Sequence, residues 1–107
     1  MKIIYKPRGK GKTTQLLYSS DTTRIPILVA TEAQKGLLIN DAQLLGLNIP
    51  QPLSVADIIN GRRGGCRNAS CYVDNAEIVL SSLINMNVAA LTLSDEEEKV
   101  KYKLSAR

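Results

Sequence analysis

Short apolar segments alternate with segments of helical period along most of this 107-residue chain. Apolar strands that are separated by amphipathic helices are typical of a mainly parallel sheet with helices on both faces. We therefore predict an α/β fold, a three-layer αβα sandwich with a sheet of about four strands. The predicted strands are residues 2–5, 24–30, 71–74 and 88–93, and the predicted helices are residues 12–20, 31–47, 55–60 and 77–85.

Polar residues stand where two of these helices are expected to begin. Thr31 precedes the longest helical pattern and is a residue type that favours the N-cap position. Ser54 is followed three residues later by Asp57, which resembles the capping-box pattern. Pro50 and Pro52 are expected to break the chain between the two helices.

Composition excludes several kinds of chemistry. The chain has no His and two Cys, which excludes His-dependent catalytic triads, His-ligated metals and a tetrahedral thiolate site within one chain. Phe and Trp are absent, so only four Tyr are available for stacking on bases. No apolar run approaches the roughly 18 residues of a membrane span. We expect a cytoplasmic protein with no membrane partner.

Positive charge is concentrated in two segments of a chain whose formal net charge is +4. Residues 1–24 carry six basic side chains and one acidic side chain, and Arg62, Arg63 and Arg67 lie in a Gly-rich stretch that contains no acid. Such a field favours polyanions, either nucleotide phosphates or a nucleic-acid backbone. The alternative for the arginine cluster is a surface charge that only keeps the protein in solution.

The most informative segment lies between the first predicted strand and the first predicted helix. Glycines allow the backbone N–H groups of a turn to converge on an anion, and the positive end of the helix dipole adds to the attraction. The alternative is a basic, Gly-rich turn that opens a helix and binds nothing. The candidate nucleotide-binding residues are Gly9, Lys10, Gly11, Lys12, Thr13 and Thr14.

In this segment the chain resembles the P-loop nucleoside triphosphatases, whose phosphate loop is the Walker A motif. The resemblance implies that Lys12 contacts the β- and γ-phosphates, that the Thr13 hydroxyl binds Mg²⁺ and that Thr14 donates to the α-phosphate. The fit has one departure. The standard spacing places its first glycine at position 6, where this chain has Lys6.

A P-loop enzyme also has an acid at a strand end on the metal side of the site. Asp74 follows the apolar pair Tyr72 and Val73, at the edge where α/β proteins bind ligands. The resemblance therefore implies that Asp74 and Thr13 hold Mg²⁺, with Lys12 and Asp74 as catalytic candidates. The alternative is that Asp74 only caps the helix that follows.

The residue after this acid matters for hydrolysis. In the helicase-like branch a glutamate commonly stands there and polarises the attacking water, whereas this chain has Asn75. Glu77 is a catalytic candidate one helical turn further on, with a solvent-facing side chain as the alternative. Replacing Asn75 by Glu is expected to raise the rate if the rest of the site is formed. Thr92 and Ser94 are candidate γ-phosphate sensors at the end of the fourth strand, and Ser94 is equally a candidate helix cap.

The overall pattern resembles a reduced helicase- or terminase-like ATPase core, as in small bacteriophage-encoded ATP-binding proteins. If a phage encodes the chain, the expected location is the host cytoplasm. We expect a P-loop domain over residues 1–95, a charged tail over residues 96–107, and Mg²⁺ with ATP or another NTP as ligands. The expected function is ATP binding with weak or partner-dependent hydrolysis in DNA processing. An arginine from a second copy (Arg62 or Arg63) would complete the site, so another copy, in a homo-oligomer, is one candidate partner. DNA or a DNA-processing protein is the other candidate partner. The alternatives are a non-hydrolysing nucleotide- or nucleic-acid-binding module and, less compatible with 107 residues, a nucleoside or nucleotide kinase.

Overall fold

The computed structural model describes residues 1–5, 11–61 and 70–94. The described part of the chain forms four helices and a small parallel sheet of three strands. The sheet has the order β2-β1-β3, with both outer strands parallel to β1. The elements are α1 (Lys12–Thr23), β1 (Ile27–Val29), α2 (Glu32–Leu44), β2 (Leu53–Ser54), α3 (Val55–Ile59), β3 (Tyr72–Val73) and α4 (Ala76–Ile84).

The central strand β1 divides the core into two clusters, because its side chains alternate between the faces of the sheet. Ile27 and Val29 pack with α1 and α2, and Leu28 and Ala30 pack on the opposite face. The first cluster is completed by Leu16, Leu17, Leu38 and Ala42, and the second by Leu53, Val55 and Val79. Helices therefore cover both faces, and the α/β prediction is confirmed at this level.

The sheet has three strands in the described residues and not the predicted four. Residues 2–5 and 88–93 have no strand conformation, although Ile4 still packs against the first cluster. Leu91 and Leu93 are exposed. An apolar segment becomes a strand only where a neighbouring backbone accepts its hydrogen bonds, and the described residues offer neither segment such a neighbour.

One strand was not predicted. β2 is two residues long and follows the buried Pro52, and it pairs in parallel with Leu28 and Val29. Two residues are too few to show an alternating pattern, and the prolines indicate a chain break. Proline is also tolerated at the start of a strand, so Pro52 is compatible with either a chain break or a strand that begins after it.

Helix boundaries follow local signals. The Thr31 hydroxyl accepts from Gln34 N at 3.1 Å, which confirms the predicted cap of α2. Ser54 and Asp57 form both bonds of a capping box at the start of α3, as predicted. α2 ends before the predicted Leu47 because Gly46, with φ 74°, turns the chain into the left-handed region. No helix in the described part of the chain is long and apolar enough to span a membrane.

Candidate functional site

A hydrogen bond joins the start of α1 to the end of β3. The Thr13 hydroxyl donates to Asp74 Oδ2 at 3.0 Å, although the two residues are 61 positions apart. Both side chains are half-buried. The bond brings together the hydroxyl and the carboxylate for which the resemblance to P-loop proteins implies a metal-binding role.

The start of α1 has an unusual backbone. Its N-cap residue is Gly11, which lies in the left-handed region at φ 86° and ψ 17°. The first intrahelical bond is from Gln15 N to Gly11 O, at 3.0 Å. In every α-helix the N–H groups of the first turn lack an intrahelical acceptor. In α1 these groups belong to Lys12, Thr13 and Thr14. A glycine is needed at this position because a Cβ disfavours a positive φ.

Asp74 is held in place by the sheet. Its N–H donates to Leu28 O at 3.1 Å, which continues the β1–β3 ladder by one residue. The N-cap of α4 is the next residue, Asn75, and Ile78 N and Val79 N both donate to Asn75 O. Asp74 is therefore not the N-cap of α4, and its carboxylate accepts from α1 instead.

The donor set fits a hard divalent cation. Mg²⁺ prefers oxygen ligands and is usually bound through one or two carboxylates together with substrate phosphates and water. Thr13 Oγ1 and Asp74 Oδ2 are oxygen donors on converging elements. Within the three described ranges there is no cluster of three or more His, Cys, Asp or Glu that could hold a metal. A cation at Thr13 and Asp74 would therefore need phosphate oxygens or water to complete its coordination.

The other described candidate residues differ in how far their side chains are exposed. Lys12 is the first residue of α1 and is half-buried, whereas Thr14 is exposed. Glu77 is exposed in the first turn of α4. Thr92 and Ser94 are exposed in an irregular segment, so the strand end on which their sensor role was based is not formed. Gly9, Lys10, Arg62, Arg63 and Arg67 lie outside the described residues.

A charged cluster at the same sheet edge was not predicted. Lys35 Nζ lies 2.8 Å from Asp57 Oδ2 and 3.1 Å from Glu32 Oε1, and Ser54 Oγ donates to Glu32. We call Glu32, Lys35, Ser54 and Asp57 the α2–α3 clamp, because they join the start of α2 to the start of α3. The capping box and the three-residue spacing of Glu32 and Lys35 were the available signals, but only the fold brings the two helix starts together.

The clamp shifts the pKa of each of its three ionisable groups. The Lys35 ammonium, followed by the Ser54 N–H, lowers the pKa of Asp57 far below its usual range. The bond to Asp57 raises the pKa of Lys35. The Ser54 hydroxyl, followed by Lys35, lowers the pKa of Glu32. All three groups are therefore charged across the neutral range, and the clamp is an ionic link between the starts of α2 and α3.

Comparisons with protein-family models, with curated proteins and with solved structures gave no match.

Proposed function

We propose that this chain binds a magnesium nucleoside triphosphate, ATP or another NTP, at the start of α1. The observation that carries the proposal is the 3.0 Å hydrogen bond between Thr13 and Asp74. A hydroxyl at the first turn of a helix and a carboxylate at a neighbouring strand end are the protein ligands that Mg²⁺ has in P-loop sites. Lys12, which is half-buried, directly precedes Thr13 in the same turn.

Each residue has a separate task in this proposal. The free N–H groups of the first turn of α1 and the Lys12 ammonium bind the phosphates. Thr13 and Asp74 hold the cation, which neutralises charge on the β- and γ-phosphate oxygens when bound. Gly9 and Lys10 belong to the proposed loop on sequence grounds, through the resemblance to P-loop proteins.

Hydrolysis by the isolated chain is expected to be weak. Asn75 has an amide where a general base would stand, and an amide cannot take a proton from water. General-base assistance contributes roughly 10²- to 10⁴-fold to a rate. A turnover above about 10 s⁻¹, the median for enzymes, would contradict this part of the proposal.

The second candidate function is a module that binds nucleotide without turnover. Asn75 favours it, because the binding residues Lys12, Thr13 and Asp74 do not depend on a base at position 75. Steady-state phosphate release with and without DNA separates the two functions. Release only with DNA supports a partner-dependent ATPase, and no release under either condition supports the binding module.

A role in phage or bacterial DNA processing, with DNA or a DNA-processing protein as partner, is part of the same proposal. It rests on the basic residues Arg62, Arg63 and Arg67, whose charge favours a phosphate backbone. With no Phe or Trp, binding would be electrostatic and sequence-tolerant. Fluorescence anisotropy across a salt series tests it, because each lost phosphate contact reduces the slope by about 0.7–0.9. No DNA binding at about 50 mM salt would remove this part.

Calorimetry with Mg-ATP and Mg-ADP tests the binding site itself. Lys12→Ala removes the phosphate-binding ammonium from a half-buried surface position, so we expect a large loss of affinity with little change in stability. Lys2→Ala is the matched control, because it removes the same charge from an exposed residue outside the site. Equal affinities for the wild type and Lys12→Ala would contradict the assignment.

A further inference from the structure

We propose that Asn75 is a positioning residue, whose left-handed backbone aims the Asp74 carboxylate at Thr13. This inference rests on the proposed nucleotide site and adds to it the device that fixes the metal side. Asn75 has φ 59° and ψ 65°, a region that residues with a Cβ rarely adopt. Among residues with a Cβ, Asn and Asp adopt it most often, because their short polar side chains can hydrogen-bond locally.

Helix capping does not account for this backbone conformation. An N-cap residue is normally extended, as Thr31 (φ −130°, ψ 163°) and Ser54 (φ −110°, ψ 167°) are at the starts of α2 and α3. Both also accept a capping bond through their side chains. The N-cap residues of α1 and α4, Gly11 and Asn75, are instead left-handed and make no side-chain cap bond. The two exceptions are the two helix starts that meet at the Thr13–Asp74 bond.

The remaining left-handed residues with side chains have an ordinary reason for their conformation. Arg24 and Asn85 are the C-cap residues of α1 and α4, and their N–H groups donate to Ser20 O and Ser81 O. A left-handed residue is a common way to end a helix. Among the described residues that are not glycine, Asn75 alone has a positive φ at a helix start.

Hydrogen bonds fix the chain on both sides of Asn75, so the change of direction between β3 and α4 occurs at that one residue. Before it, Tyr72 N donates to Pro26 O at 2.9 Å and Asp74 N donates to Leu28 O at 3.1 Å. After it, Ile78 N and Val79 N donate to Asn75 O. The chain is therefore fixed to the sheet up to Asp74 and is helical immediately afterwards. A backbone conformation of this kind persists only where its surroundings hold it, and a change at position 75 would release the Asp74 side chain from Thr13.

This geometry changes the expectation for a glutamate at the same position. Glu has a Cβ and lacks the short polar side chain that lets Asn occupy the left-handed region. We therefore expect Asn75→Glu to weaken Mg-nucleotide binding and not to raise the hydrolysis rate. In this proposal the residue at position 75 sets the backbone conformation, and a glutamate there would displace the neighbouring Asp74 carboxylate.

The experiment measures nucleotide affinity by calorimetry with Mg²⁺ and with a chelator, and takes the ratio of the two affinities as the magnesium increment. The increment reports the metal side, whereas the affinity in chelator reports Lys12 and the N–H groups. We expect Asn75→Ala to lower the increment by about five- to thirtyfold, the factor that corresponds to the cost of a left-handed alanine. Its affinity in chelator should stay within about twofold of the wild type, a change of under ~0.5 kcal/mol.

Two further variants keep the result interpretable. Asn75→Gly allows the left-handed backbone and lacks the amide, so we expect it to restore the increment of the wild type. Asn85→Ala places an alanine at the other left-handed asparagine of the same helix, where φ is 59° and ψ is 41°. It should lower the melting temperature and leave the increment unchanged, which separates positioning from general stability.

The outcomes are distinct. If Asn75→Gly loses the magnesium increment, the inference is overturned even where Asn75→Ala fails to fold, because the side-chain amide and not the backbone would then be the group that matters. An increment that Asn75→Ala retains, or that Asn85→Ala lowers equally, would also overturn it. If the wild type binds nucleotide with no magnesium increment, the inference fails while the phosphate half of the site stands. If the wild type binds no nucleotide, the proposed function fails as well.

Discussion

The two faces of the sheet are covered to different extents in the described residues. On the α1/α2 face, four buried helix side chains pack against Ile27 and Val29, and Ile4, Leu47, Ile49 and Tyr72 add to them at the margins. On the α3/α4 face, Val79 is the one buried apolar side chain that α4 supplies. Exposed large apolar side chains are more numerous on α3, β3 and α4 than on α1 and α2. The former are Ile58, Ile59, Val73, Ile78, Leu80, Leu83 and Ile84, and the latter are Tyr18, Leu37 and Leu44, with Leu45 at the end of α2.

The candidate site is shared between these two layers. Thr13 belongs to the well-covered layer, because it lies in the first turn of α1. Asp74 and Asn75 lead into α4, which belongs to the thinly covered layer. Regions with few buried apolar contacts open at lower free energies than the rest of a protein. Of the proposed site, Lys12, Thr13 and the N–H groups of the first turn of α1 therefore lie on the well-covered layer, and Asp74 leads into the thinly covered one.

The largest expected effect compares the same truncation on the two faces. Leu17→Ala and Leu53→Ala remove identical atoms from side chains that are 1% and 6% exposed. Truncation of a buried leucine costs about 2–5 kcal/mol and costs most where the surroundings cannot relax. We expect Leu17→Ala near the upper end and Leu53→Ala near the lower end, measured by urea unfolding. Equal losses would mean that the two faces are equally well packed.

A smaller effect compares the helix caps of the two layers. Ser54 is fully buried and caps α3, whereas Thr31 is exposed and caps α2. Loss of such a cap costs about 0.5–2 kcal/mol. Ser54→Ala should fall in the upper half of that range, because its hydroxyl also donates to Glu32. Thr31→Ala should fall in the lower half. A cost for Thr31→Ala that equals or exceeds that for Ser54→Ala in thermal unfolding would show that burial and the clamp add nothing.

The smallest effect is the pH dependence of the α2–α3 clamp. The lowered pKa values of Asp57 and Glu32 mean that their contribution is present above the ordinary carboxyl pKa of about 4 and is lost as pH falls through the folded values. The raised pKa of Lys35 means that its contribution is present below about 10.4 and is lost at higher pH.

Melting temperatures of the wild type and Asp57→Asn measure this dependence. The difference between them should be constant from about pH 5 to pH 9 and should shrink below about pH 4, because the unfolded chain takes up a proton there that the folded Asp57 carboxylate does not. A difference that is the same at pH 3 and pH 7 would contradict an ionic role for Asp57.

Much of the fold could be predicted because the signals were local. The periodicity of α1, α2 and α4 and the caps at Thr31 and Ser54 each lie within one stretch of sequence. β1 and β3 were predicted, whereas two predicted strands (residues 2–5 and 88–93) are not formed and β2 was missed, because a strand depends on which backbone lies beside it. Residues 88–93 are largely apolar but have no neighbouring strand in the described chain, and β2 has a neighbouring strand but is too short to show a pattern.

The candidate site could likewise be predicted only where its signals were local. Thr13 and Asp74 were singled out by their motifs, and the structure places their side chains 3.0 Å apart, although their role stays a prediction. The left-handed backbone of Asn75 could not be predicted, because asparagine is also common in ordinary caps and turns. The α2–α3 clamp requires the packing of two helix starts that are 22 residues apart between Lys35 and Asp57.

A double-mutant cycle between Thr13 and Asp74 tests the central claim most directly. Thr13→Val, Asp74→Asn and the double variant keep side-chain volume nearly constant, and calorimetry gives the nucleotide affinity of each with Mg²⁺ and with a chelator. If both side chains hold one cation, we expect a coupling of about 1–3 kcal/mol with Mg²⁺ and additive effects within about 0.5 kcal/mol in chelator. Additive effects under both conditions would contradict a shared metal site and leave the Thr13–Asp74 hydrogen bond as a contact of the fold alone.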